Sequence, residues 1–205
     1  DGIYTALIPV HDLLPGQMLR WKVTATDSKN SDTVTPPYPD SRDSPQYFGT
    51  IAEDSSVVSS NLPVLHWFTA SPSGAERDSG SRGSIYYRGE FYDNIQADKH
   101  GQSTGSFPKK SFDFDFNKGD RFMPYDGGKR AKDINLITNW ADKSKTRNTI
   151  GYEIMRMAGH PAHYSFAVRV QQNGQFFSTA DLVEDGDDRY LERVNLDGKG
   201  ALYKM

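Results

Sequence analysis

Lys109 and Lys110 stand just ahead of an alternating run, Phe112-Asp113-Phe114-Asp115-Phe116. Successive side chains of a strand point to opposite faces, so the three phenylalanines share one face and the two aspartates the other. Burying each Phe contributes roughly 1.5–3 kcal/mol, which anchors such a strand firmly. A rigid strand that opens on two cations can hold them at a fixed place, as an anionic group such as a nucleotide phosphate requires. Lysines at that position equally serve as guards of a sticky strand edge. The residue types alone leave both readings open.

Other constellations carry less. Glycines and serines in residues 101–106 lie near the lysine pair, but the spacing departs from a Walker phosphate loop. Asp113, Asp115 and Asn117 resemble the start of a calcium loop. Their glycine comes at 119, one place late, and the alternating phenylalanines demand a strand. His160 and His163 flank Pro161 without a suggested third ligand, so no metal site is assigned. Asp181, Glu184, Asp185, Asp187 and Asp188 form an acidic cluster that suits the start of a helix. No Gly-x-Ser-x-Gly elbow presents a serine nucleophile.

These groups must be positioned by a chain of 205 residues, enough for one large domain or two small ones. Hydrophobic residues make up 36% and aromatic residues 12%, so the core is expected to be rich in Phe and Tyr. Mean hydropathy is low, at -0.71, which together with abundant Gly, Pro, Ser and Asp predicts long loops. The net charge of -3 and the lack of a basic stripe argue against a nucleic-acid partner. No run approaches the ~18 apolar residues of a membrane span. Asp1 reads as the start of a mature chain or of a cut fragment. With no cysteine, disulfides, thiolate catalysis and Cys-based zinc sites are excluded.

Along the chain, residues 1–60 read as all-β. Strands are expected over 4–9, 18–27 and 47–52, with a Pro-Gly turn at Pro15-Gly16 and a proline-rich loop over 28–45. Three strands cannot close a sandwich by themselves. Either the missing strands lie upstream, or this piece leans on the rest of the chain. The serine-rich segment 54–61 is the boundary candidate. Beyond it, a hydrophobic segment over 62–68 and strands over 84–89, 112–116 and 134–137 are separated by loops over 71–83, 90–107 and 117–132. One clear helix is expected from about Ser144 to Gly159, with an apolar face of Ile150, Ile154, Met157 and Ala158. Strands over 165–171 and 176–183 flank Asn173-Gly174, a strong hairpin signal. Asp187 is placed to cap a short helix, and a last strand is expected from Gly200.

Several pieces then line up in order: Tyr87-Arg88-Gly89, Pro108-Lys109-Lys110-Ser111-Phe112, Leu136 with Asp142, Arg147 and Asn148, Asn173-Gly174, Val183-Glu184 with Tyr190-Leu191, and Leu202-Tyr203-Lys204. Together they resemble the CotH family, the spore-coat-type atypical protein kinases, from about Leu62 to the last residue. Residues 1–60 resemble the C-terminal half of an immunoglobulin-like β-sandwich.

The resemblance implies an α+β fold: a partial β-sandwich followed, over 61–205, by the mainly antiparallel nucleotide lobe of a kinase-like domain with one main helix. It implies ATP with Mg as cofactor, serines of a partner protein as substrate, and an extracellular or cell-surface life in a bacterial-type protein. Arg88, Lys109, Lys110, Arg147, Glu184 and Lys204 are then the nucleotide-site candidates. One of the two lysines would neutralise phosphate, Glu184 would pair with a lysine, and Lys204 would approach the adenine. The family's catalytic and metal-binding aspartates lie downstream of the Leu202-Tyr203-Lys204 match, so the chain as given is expected to lack transfer activity and to be a fragment of a longer kinase. A structural or adhesive surface protein, assembling through exposed strand edges with a neighbouring protein or as an oligomer, is the alternative.

Overall fold

The computed structural model describes residues 3–9, 11–36 and 40–203. Four short strands come first: β1 (Met18–Trp21), β2 (Val23–Thr26), β3 (Asp32–Thr35) and β4 (Phe48–Ile51). They pair antiparallel as two separate two-stranded sheets, β1 with β4 and β2 with β3. The run 18–27, expected as one half-buried strand, therefore breaks after Trp21, and all four residues of β2 are exposed. Residues 4–9, expected as a strand, have no regular structure. The proline-rich loop contains β3, and the serine-rich segment folds into the single turn α1 (Ser55–Val58), capped by the Asp54 side chain.

From Val64 onward the chain builds a closed barrel. Its strands are β5 (Val64–Thr69), β6 (Ser81–Tyr87), β7 (Glu90–His100), β8 (Ser111–Asp115), β9 (Asp133–Ile137), β10 (Ser165–Gln172) and β11 (Gln175–Glu184). Around the barrel the order is β10, β11, β9, β8, β7, β6, β5. Neighbours are antiparallel except β5 and β10, which run parallel. An odd number of strands cannot alternate all the way round, so one parallel seam is required. The α+β class and the mainly antiparallel sheet follow the sequence reading. Closure into a barrel does not.

The alternation in β8 works as expected: Phe112, Phe114 and Phe116 are buried, with Asp113 and Asp115 on the outer face. Trp67 meets Phe112 and Phe114 edge-on, at ring-centre distances of 4.8 and 5.1 Å. Phe116 packs on Tyr92 and Phe122 at 5.2 and 4.9 Å. Such aromatic pairs add about 0.5–1.5 kcal/mol each beyond area burial. Phe122 reaches this core from the loop between β8 and β9, which is pinned by a bridge between Phe122 and Ala131.

The helices lie outside the barrel. They are the single turn α2 (Pro72–Ala75), α3 (Arg147–Met157) and α4 (Asp188–Arg193). The Asp187 carboxylate accepts from the amides of Arg189 and Tyr190 and caps α4, as expected. In α3 the apolar stripe does not face the barrel: Ile150, Ile154 and Met157 are 52, 60 and 76% exposed. The helix is instead held through polar residues near its start. Thr149 Oγ1 lies 3.1 Å from Ser165 Oγ, and Asn148 donates to Asn139 at 3.0 Å. The strand expected from Gly200 does not form over residues 201–203, and Lys204 lies outside the described residues.

Candidate functional site

On the outer face of the barrel, side chains follow the strand register. Asp113 of β8 sits opposite Asn135 of β9, and Asn135 opposite Val183 of β11. Asn135 and Val183, with Ser111 and Ile137, line a groove of about 600 Å³. Tyr152 and Asn148 of α3 form one wall, and the Gly101–Thr104 turn after β7 closes one end. Leu202 and Tyr203 border it as well. The size suits a small organic ligand, and so does the mixture of apolar floor and a few polar groups.

Apolar contact comes from Ile137, Val183, Tyr152 and Leu202. His163, which lines the groove, is stacked on Tyr190 at 4.3 Å and meets Tyr152 edge-on at 5.4 Å. Burial disfavours its charged form and holds its pKa below the usual histidine range. Polar groups are fixed from behind. His100 Nδ1 lies 2.5 Å from Asp113 Oδ1, Asn135 Nδ2 donates to Asp185 Oδ1 at 3.3 Å, and Ser111 Oγ accepts from the Thr138 amide at 3.1 Å.

Of the nucleotide-site candidates that lie among the described residues, only Glu184 lines this groove. Its carboxylate is 7% exposed and is clasped by Arg193, whose Nε donates at 2.8 Å, so its ionic partner is an arginine rather than a lysine. The Arg193 guanidinium also lies over the Tyr164 and Tyr190 rings at 5.6 and 5.7 Å. Lys109 and Lys110 stand at the end of the barrel where β8 begins. Lys109 Nζ donates to the Phe177 carbonyl and lies 5.0 Å from that residue's ring centre. Lys110 Nζ lies 3.5 Å from Glu76. Arg147 opens α3 beside Asn148 and pairs with Asp142 at 3.4 Å. The Asp142 carboxylate accepts from the Ser144 hydroxyl and from the amides of Arg147 and Ser144, and these bonds outweigh desolvation and lower its pKa to about 2.

Arg88 does not join them. It occupies the turn between β6 and β7 at a φ of 51° and pairs with Asp126 at 2.6 Å. The eleven residues of β7 run between that turn and His100, which faces Ser111 at the lysine end. At about 3.3 Å per residue, Arg88 and the lysines sit at opposite ends of the barrel. Among the described residues, no group of three or more His, Asp or Glu side chains is placed to hold a metal ion.

The sequence reading missed His100, Asn135, Tyr152 and His163 as groove residues. His100 and Asn135 had no signal of their own, because only strand register brings them together. His163 was weighed solely as a metal ligand.

A protein-family model described as CotH kinase protein matches residues 97–205, more than half of the chain. No curated protein matches it. Every residue lining the groove falls within the matched segment.

Proposed function

The chain belongs to the CotH kinase protein family, and from that premise we propose that the outer groove binds a nucleotide, making these residues the ATP-binding portion of a CotH-type protein kinase. The observation that carries the reading is the coincidence of the groove, about 600 Å³ and lined from His100 to Tyr203, with the family segment. An aromatic and aliphatic slot between Tyr152, Ile137 and Val183 suits a planar base. Lys109 and Lys110 directly precede the groove residue Ser111, and Arg147 precedes the groove residue Asn148; in this reading they are the cations a phosphate chain would recruit from their present partners. Arg88 has no part in this site.

Phosphoryl transfer needs metal held by carboxylates and a positioned nucleophile. On this proposal the described residues bind the nucleotide rather than carry out the transfer step. In this reading the substrate is a serine of a partner protein, ATP acts with a divalent metal held by residues outside this set, and the protein works outside the cell or at its surface. Among the described residues, no helix is long and apolar enough to cross a membrane. The first 60 residues are read as the end of an immunoglobulin-like module, a reading supported by the antiparallel pairing of β1 with β4 and of β2 with β3.

Calorimetry with ATP, with and without magnesium, tests the proposal on this chain and on its longer reading frame. Saturable heat in the longer form is expected, with weaker binding by the 205 residues alone. No binding by either form removes the ATP assignment.

A further inference from the structure

A second cleft, of about 700 Å³, opens where β1 and the segment leading into β4 meet β5, β6 and β7. It shares no lining residue with the groove, and all of its lining residues but Asn173 precede the segment that the family model matches. Its volume is that of a site for a small organic ligand. Two guanidiniums, of Arg20 and Arg82, line it against a single carboxylate, that of Asp93. Asp93, 2% exposed, already accepts from the amides of Gln46 and Tyr47 at 2.9 and 3.0 Å and from the Ser84 hydroxyl at 2.8 Å. Arg20 reaches it only at 3.5 Å and lies 4.9 Å over the Tyr47 ring. Arg82 donates to the backbone carbonyls of Asn94 and Arg42, and among the described residues no carboxylate pairs with it. The cleft thus holds one cation more than it holds anions, and a guanidinium fork matches a carboxylate.

The carboxamides of the cleft ask for donors as well. Asn94 Nδ2 donates to the carbonyls of Ser41 and Ser44, both at 2.8 Å. Gln46 Nε2 donates to those of Asp40 and Ser44, at 3.4 and 3.1 Å. Both N–H bonds of each amide are engaged, so what each side chain has left for a ligand is its oxygen, an acceptor. Asn94 and Gln46 both line the cleft, and Phe68 and Met18 add apolar surface beside them. Hydroxyls both donate and accept, whereas the oxygens of an ionised phosphate chain only accept, so a polyphosphate meets the arginines but not the carboxamides. We propose that this cleft binds an acidic saccharide: a uronate unit whose carboxylate is taken by the Arg20 and Arg82 guanidiniums and whose hydroxyls donate to Asn94 Oδ1 and Gln46 Oε1. The site is independent of the nucleotide groove.

Digalacturonate and galactobiose, which share their linkage and differ by carboxylates against hydroxymethyl groups, are the probes. Calorimetric titration of the 205-residue chain is expected to show saturable binding of digalacturonate and at least about tenfold weaker binding of galactobiose, the ratio for one lost charge-assisted hydrogen bond. Backbone amide shifts are expected at Tyr47, Ser84 and Asn94. Arg82 is exposed and touches only carbonyls, so Arg82→Gln is expected to keep the wild-type melting curve while the preference for the acid falls to about threefold or less. Arg20→Gln leaves Asp93 its three other donors and is expected to lower the preference likewise. No saturable binding of digalacturonate, equal affinity for the two disaccharides, a preference unchanged in both variants, or shifts confined to the groove overturns the proposal.

Discussion

Asp93 is 2% exposed, and its carboxylate accepts from Gln46 N at 2.9 Å, Tyr47 N at 3.0 Å and Ser84 Oγ at 2.8 Å. The first two donors belong to the segment leading into β4, so this one side chain ties that segment to the barrel. Asp93→Ala strands buried donors at about 1–3 kcal/mol each. Denaturant unfolding is expected to show a loss of roughly 3 kcal/mol, and limited proteolysis to cut first in residues 40–60. Asp133 acts in the opposite sense. Burial, and then Asp115 opposite it across β8 and β9, push its pKa from 3.8 up to about 6. The folded protein therefore binds more protons than the unfolded chain between these values, and stability falls as pH rises through that window. Asp133→Asn is expected to raise the melting temperature at pH 7 and to flatten the pH dependence between about 4 and 6. An unchanged slope contradicts the assignment.

The strand β8 was legible because Phe112, Phe114 and Phe116 keep a strict period of two, and the barrel buries that face. The strand β7 was not. Tyr92, Ile95 and Ala97 are all fully buried, yet Tyr92 and Ile95 lie an odd number of residues apart. A bulge opposite the stretch between Gly83 and Ile85, with Asn94 at a φ of 55°, shifts the phase in mid-strand, and a period-two reading sees only a loop. Gly83, opposite that bulge, is also held close to β5 on its other side. A Cβ there would lie 2.4 Å from the Phe68 carbonyl oxygen, a backbone atom that cannot turn aside. Gly83→Ala is expected to cost about 1–3 kcal/mol or more, read as a lower denaturation midpoint. The helix α3 was legible in place but not in orientation, because the spacing of Ile150, Ile154 and Met157 matches a core face whether or not a core lies beneath it. Those residues are exposed, and Ile154→Ser is expected to shift stability by no more than about 0.5 kcal/mol.

Across the molecule, β4 and the segment leading into it pack against β7. Gly49 of β4 packs so closely on β7 that an added Cβ would meet the Phe91 ring at 2.3 Å, and Asn94 Nδ2 donates to the carbonyls of Ser41 and Ser44, both at 2.8 Å. The family was legible because its short motifs keep their order. The groove was not, because its residues come from β7, β8, β9, β11 and α3 and meet only once the barrel has closed. The central claim is that this groove holds the nucleotide, and backbone amide shifts during an ATP titration test it most directly. The largest changes are predicted at Asn135, Asn148, Tyr152 and Val183, while the second cleft of about 700 Å³, lined by Met18, Tyr47, Thr69 and Asn94, stays unaffected. Changes centred on that cleft, or none anywhere at saturating ATP, would contradict it.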